Sequence, residues 1–231
     1  MVAPTVPPVE TPPLETGDRL TREEFERRYD AMPHLKKAEL IEGLVHVPSP
    51  VRFDRHGVQQ ADLITWMGVY RLHTPGVLVG DNSTVRLDVG NEPQPDGILI
   101  IDPARGGQAR IGTEGYLEVA PELAAEIASS TVSIDLHAKF AVYLRNHVRE
   151  YVVWRVLDRA VDWFVLRQGS YERLQLTAAG VYASEIFPGL WLEPSALVRG
   201  DLAGVHQVLQ QGLASPEHAA FVARLQKAGG E

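Results

Sequence analysis

A chain of 231 residues with 45% hydrophobic and 23% charged residues can bury a sizeable core, and it fits one large domain with tails better than two domains. Its net charge of −8, from 22 Lys and Arg against 30 Asp and Glu, argues against a protein that coats nucleic acid nonspecifically; the absence of cysteine excludes disulfides, thiolate zinc sites and cysteine nucleophiles. No run approaches the ~18 consecutive apolar residues of a membrane span and no basic-then-apolar leader opens the chain, so a soluble cytoplasmic protein is expected.

Residues 1–18 are rich in proline and carry little pattern, and composition predicts a disordered tail there. Thr21 followed three positions later by Glu24 is a capping-box signature and predicts a short helix ending before Pro33. Residues 38–47 read as two short strands around the turn Glu42-Gly43. Leu63, Trp66, Met67 and Tyr70 recur at spacings of three and four, which predicts an amphipathic helix over residues 52–72. Arg52, Arg55 and His56 at its start form the strongest local positive group. Residues 76–79 and 83–89 then read as strands leading into residues 94–101, where Asp96 opens an apolar run.

A second acid, Glu126, is flanked by Ala125 and Ile127 in the apolar run 122–128, the pattern of a strand covered by a helix. Lys139 follows in residues 134–144, whose Leu136, Phe140, Tyr143 and Leu144 share one helix face. Two carboxylates at strand ends can hold Mg²⁺ through hard oxygens, and a nearby ammonium can stabilise charge on a phosphate under attack, so the set suits phosphodiester hydrolysis. Taken singly the residues say less: Asp135 and Lys139 at i,i+4 also have the spacing of a surface ion pair worth only ~0.3–0.5 kcal/mol. Beyond them, residues 150–157 and 161–167 read as strands with core aromatics Trp154, Trp163 and Phe164. Ser215 before Pro216 caps a final helix, and the apolar stripes of residues 202–225 could pack on the body or on a second subunit.

Pro95-Asp96, residues 121–131, the series Asp135, Lys139, Tyr143 and residues 148–154 together resemble the Uma2 family (DUF820) of restriction-endonuclease-like proteins, within the PD-(D/E)XK nuclease superfamily. The resemblance covers about residues 20–197. It implies an α+β fold with a restriction-endonuclease-like core, a mixed central β-sheet flanked by helices. It also implies Asp96 and Glu126 as metal ligands for Mg²⁺ or Mn²⁺, Lys139 as the third catalytic residue, and Glu39, Glu42 and His56 as accessory groups. Two features depart from the pattern: Ala128 stands where the motif lysine belongs, Lys139 being the matching residue on the following helix, and Ser130 stands where many members have proline.

The expected organisation is a tail at 1–18, a nuclease-like domain at 19–200 and a helical extension at 201–231, with a homodimer through that extension. The expected function is metal-dependent hydrolysis of DNA phosphodiester bonds; the alternative is an inactive nuclease-fold module that binds nucleic acid or a protein partner. The chain holds no GxxxxGK[ST], GxGxxG, GxSxG or HExxH, which sets aside nucleotide-triphosphate, dinucleotide, serine-hydrolase and zinc-protease chemistry.

Overall fold

Two runs that are apolar on both faces set the architecture. They form the strands β5 (Gly97–Ile101) and β8 (Leu123–Ala128), every residue of which is buried. The structure, a computed structural model, describes residues 11–48, 52–129 and 131–230. The chain-order elements before β5 are α1 (Arg22–Asp30), the hairpin β1 (Glu39–Ile41) and β2 (Leu44–His46), α2 (Val58–His73), β3 (Val77–Asp81) and β4 (Val85–Arg86). Between β5 and β8 lie β6 (Arg110–Ile111) and β7 (Leu117–Glu118). After β8 come α3 (Phe140–Arg145), β9 (Glu150–Arg155), β10 (Ala160–Arg167), β11 (Ser170–Arg173), β12 (Tyr182–Ala183), β13 (Trp191–Leu192), α4 (Pro194–Arg199), α5 (Leu202–Leu213) and α6 (Pro216–Ala228).

The central sheet has the order β11-β10-β9-β8-β5-β3. β8 runs parallel to β9, with α3 in the crossover between them, and the remaining neighbours are antiparallel. It is a mixed sheet in an α+β fold, as expected. Strand alternation divides β8 between two cores. Leu123, Ala125 and Ile127 join Trp66, Met67, Tyr70 and Trp163 on one side, whereas Ala124 and Ala128 join Tyr143 and Tyr151 on the other. Gly97 lets α2 lie close on the first side: a Cβ there would stand 3.1 Å from Met67 Sδ.

Several local expectations hold. Thr21 caps α1 by accepting the Glu24 N–H, and Ser215 caps α6 by accepting that of His218. The hairpin turns at Glu42 and Gly43, both at positive φ (54° and 72°), as a two-residue turn with the strands' own twist requires. Trp154, Trp163 and Phe164 are core residues.

Others change. The chain reaches α2 through a π-helical turn, Phe53–Gly57, so the regular helix starts at Val58 rather than at residue 52. Residues 83–89 yield only the two-residue β4, which joins β7 and β6 in a small separate sheet. Residues 11–18, expected to lie free, pack on the hairpin: Leu14 is 5% exposed, and the Gly17 N–H donates to the Val45 carbonyl. The rest of that expected tail, residues 1–10, lies outside the described residues. The apolar stripes of α5 and α6 are used within the chain, where Val205, Leu209, Phe221 and Leu225 complete the core beside Trp66 and Tyr70. No helix among the described residues is long and apolar enough to cross a membrane.

Candidate functional site

Asp96 lies one residue before β5. The β5–β8 register pairs Gly97 with Ala125, so its continuation sets Asp96 beside Glu126. Strand alternation puts Glu126 on the face of Ala124 and Ala128, the side covered by α3. The chain after β8 passes through a π-helical turn, Ile134–Lys139, into α3, and this places Asp135, Lys139 and Tyr143 over the two strand acids. Single π-turns inside helices recur at functional sites because they re-aim side chains. Small residues at 124 and 128 leave room for the rings of Tyr143 and Tyr151 on the strand, which brings the helix close.

Lys139 is 4% exposed, and its Nζ stands 2.9 Å from Glu126 Oε1, 2.9 Å from Glu39 Oε1 and 3.8 Å from Asp135 Oδ1. Tyr143 donates its hydroxyl to the same Glu126 oxygen at 2.8 Å. Glu39 arrives from the hairpin and also accepts the Gln94 N–H at 2.7 Å. Asp135 accepts the Thr131 hydroxyl at 2.6 Å, while its own carbonyl accepts the Tyr151 hydroxyl at 2.9 Å. The surface-pair reading of Asp135 and Lys139 is thereby overturned, since both are buried among further charges.

Asp96 is held by both oxygens. Oδ2 accepts the Ile127 N–H at 2.8 Å; Oδ1 faces Lys37 Nζ at 3.3 Å and His56 Nε2 at 3.4 Å. Lys37 also donates to Asn82 Oδ1 at 2.8 Å. Gln60 of α2 donates its amide to the Asp96 carbonyl and to Asp81, and its Oε1 is buried without a partner.

These surroundings push the two strand acids in opposite directions, the pattern by which paired carboxylates take different roles. Burial would raise Asp96, but the His56 ring and the Lys37 charge outweigh it and hold the carboxyl at about 2. Burial is also the largest influence on Glu126 and pushes it up; Lys139 opposes that push, and Asp96, Asp135 and Glu39 add to it. Burial alone would lower Lys139, yet the four carboxylates around it raise it well above an ordinary lysine, so it stays charged.

Of the residues expected at the site, Asp96, Glu126, Lys139, Glu39 and His56 come together. Glu42 does not: it pairs with exposed Arg145 at 2.9 Å on the outer turn. Arg52 and Arg55 are exposed beside Asp54, on the turn that delivers His56. Lys37 and Gln60 were not foreseen, and Asp135 and Tyr143, although part of the series that carries the family resemblance, were not named as site residues. The spacing Asp135, Lys139, Tyr143 is the one signal that could have linked a helix stripe to Glu126. Ser130 lies outside the described residues.

Two buried acids on the antiparallel neighbours β5 and β8, with an ammonium brought over them by the helical crossover from β8 to its parallel partner β9, form an arrangement of the nuclease-like α+β class. The Uma2 family model, described as "Putative restriction endonuclease", matches residues 22–195, and the chain belongs to that family. Among solved structures it is similar to a crystal structure from Anabaena variabilis ATCC 29413 described as "a putative nuclease belonging to DUF820". The TM-score is 0.52 at 14% identity, over 74% of this chain and 97% of that one. No curated protein matches the chain.

Proposed function

We propose that this chain is a metal-dependent endonuclease that hydrolyses DNA phosphodiester bonds with Asp96, Glu126 and Lys139. The observation that carries the reading is the charge held in one buried cluster. Four carboxylates, Asp96, Glu126, Asp135 and Glu39, surround one fully buried ammonium, with Lys37 and His56 at the rim. Such a surplus of hard oxygens suits a divalent cation, and the orphaned Gln60 Oε1 beside Asp96 is a further acceptor for a bound water. Among the described residues no three acids or histidines are already arranged to hold a metal ion, and the Lys139 ammonium bridges Glu126 and Glu39 while Lys37 faces Asp96. The donor set fits Mg²⁺ or Mn²⁺ once those cations give way, with Asp96 and Glu126 as the ligands.

When bound, a divalent ion at these acids supplies Lewis-acid polarisation of a phosphoryl oxygen and lowers the pKa of an attacking water. The chain's own groups do the rest. Lys139 presents its charge from the helix instead of from position 128, which Tyr143 and Tyr151 cover. Tyr143 fixes the orientation of Glu126, and the Ile127 N–H fixes that of Asp96.

The alternative, a nuclease-fold binding module without hydrolysis, is favoured by one observation: Lys139 and Glu126 already satisfy each other at 2.9 Å, as in a structural ion pair. Supercoiled plasmid incubated with Mg²⁺ or Mn²⁺ separates the two. Nicking by the parent and none by Asp96→Ala supports the endonuclease; equal conversion by both removes it.

A further inference from the structure

The rim of the site carries a second lysine that the reaction above does not use. Lys37, on the segment between α1 and the hairpin, reaches Asp96 Oδ1 at 3.3 Å while Asn82 Oδ1 holds the same ammonium at 2.8 Å. Asp96 Oδ2 is committed to the Ile127 N–H. Oδ1 is therefore the oxygen left for a metal, and two cationic or polar hydrogen-bond donors, Lys37 and His56, already face it. A carboxylate oxygen offers about two lone-pair positions, so a divalent ion must displace one of them. His56 is carried by the π-helical turn leading into α2. Lys37 is a point charge on a flexible stem, a quarter exposed, and Asn82 gives it a second resting place at the mouth.

We propose that Lys37 is an internal substitute for the metal, neutralising Asp96 until a divalent ion binds, and that once displaced it binds a phosphate of the DNA strand. This rests on the reading of Asp96 as a metal ligand. A buried carboxylate at 3% exposure is costly without a compensating charge, which gives the site a reason to carry its own cation. Asn82, the second partner of Lys37, also lines a groove of about 330 Å³ together with Asp30, Lys36, Thr84, Gln94 and Tyr116, and the displaced ammonium would stand beside it. One group then opposes metal binding and favours substrate binding.

The test measures the two separately on the full chain. Calorimetric titration with Mn²⁺ should give a tighter dissociation constant for Lys37→Met than for the parent, by roughly tenfold if Lys37 holds Oδ1 nine-tenths of the time. Lys36→Met, which removes a neighbouring charge that does not touch Asp96, should stay within about twofold of the parent, since exposed charges at that range are screened. Anisotropy of a labelled DNA duplex with Ca²⁺ should show the opposite sense: weaker binding by Lys37→Met, with the slope of log K against log salt smaller by ~1, and recovery in Lys37→Arg. If Mn²⁺ affinity in Lys37→Met equals the parent's, or matches Lys36→Met, while Asp96→Asn abolishes it, the metal site stands and the role of Lys37 is wrong. If the parent and Asp96→Asn titrate alike, the metal site and this inference fall together.

Discussion

Replacing Lys139 by Met removes one charge and keeps most of the stem, and the structure says what that charge holds together. Its ammonium lies 2.9 Å from both Glu126 and Glu39 and 3.8 Å from Asp135, with no more than 4% of the residue exposed. Removing one partner of a buried ion pair costs ~3–5 kcal/mol, because the remaining charges are left uncompensated. For a chain of this size 1 kcal/mol moves the melting temperature by about 2–4 °C, so a fall on the order of 10 °C is expected at pH 8. The pH dependence has a definite sign. Burial already raises Glu126 and Asp135, and without the ammonium they rise further above their unfolded values. The stability of Lys139→Met is then present at low pH and lost as pH rises, so its deficit should shrink towards pH 5. Added Mn²⁺ should recover part of the loss, since a bound cation replaces the missing charge. Plasmid nicking should fall by ~10²–10³-fold, the cost of one preorganised charge at a transition state. Differential scanning fluorimetry at pH 5 and 8, with and without Mn²⁺, measures the first effect and a nicking time course the second. A variant that melts within about 1 °C of the parent and nicks at the parental rate would refute both the burial argument and the catalytic role.

Further outcomes follow from other parts of the chain. Glu150 is fully buried, and burial raises its carboxyl to about 7 against hydrogen bonds from Ser184 and the N–H groups of Glu185 and Ile186. A raised carboxyl contributes stability that is complete below its unfolded pKa and lost as pH climbs through 7, so Glu150→Gln should gain on the parent by about 3 kcal/mol between pH 4.5 and 8 in urea titrations. Parallel curves would show that Glu150 does not titrate there. Phe140 packs edge-on to Phe164 and Tyr171, with ring centroids 5.0 Å apart in each pair, and Phe140→Ala should cost ~3 kcal/mol through the cavity it leaves. A loss below 1 kcal/mol would mean that α3 is held by its charges alone. A chain lacking residues 1–18 should melt lower than the parent, because it loses Leu14 from the hairpin core and the bond from Gly17 to Val45. Identical melting would return that segment to the free tail its composition suggests.

The acids at the centre of the site were legible because a carboxylate in an apolar run is rare enough to need a reason, and Asp96 and Glu126 are both such cases. Lys139 was legible through its order after the two acids and through the family resemblance. Its burial was not, because Asp135 and Lys139 have the same i,i+4 spacing on a solvated helix and beneath a sheet; the Tyr151 hydroxyl that seats the Asp135 carbonyl comes from a strand 16 residues away. Lys37 and Gln60 gave no local sign, since each meets Asp96 only after α2 and the hairpin close over β5. The small sheet of β4, β6 and β7 was missed for a simpler reason: strands of two residues carry no period to read. Leu14 was hidden among prolines, where one apolar residue changes the average composition very little. The order of strands in the central sheet depended on the parallel pairing of β8 with β9, which hydrophobic pattern does not encode.

The central claim is that Asp96 and Glu126 hold a divalent ion where ammonium groups now stand, and anomalous diffraction from a crystal soaked in Mn²⁺ tests it most directly. An anomalous peak bridging the Asp96 and Glu126 carboxylates, with Lys37 Nζ withdrawn from Oδ1, is the expected result. A soaked crystal with no peak there, and Lys37 and Lys139 still seated on the two acids, would contradict it.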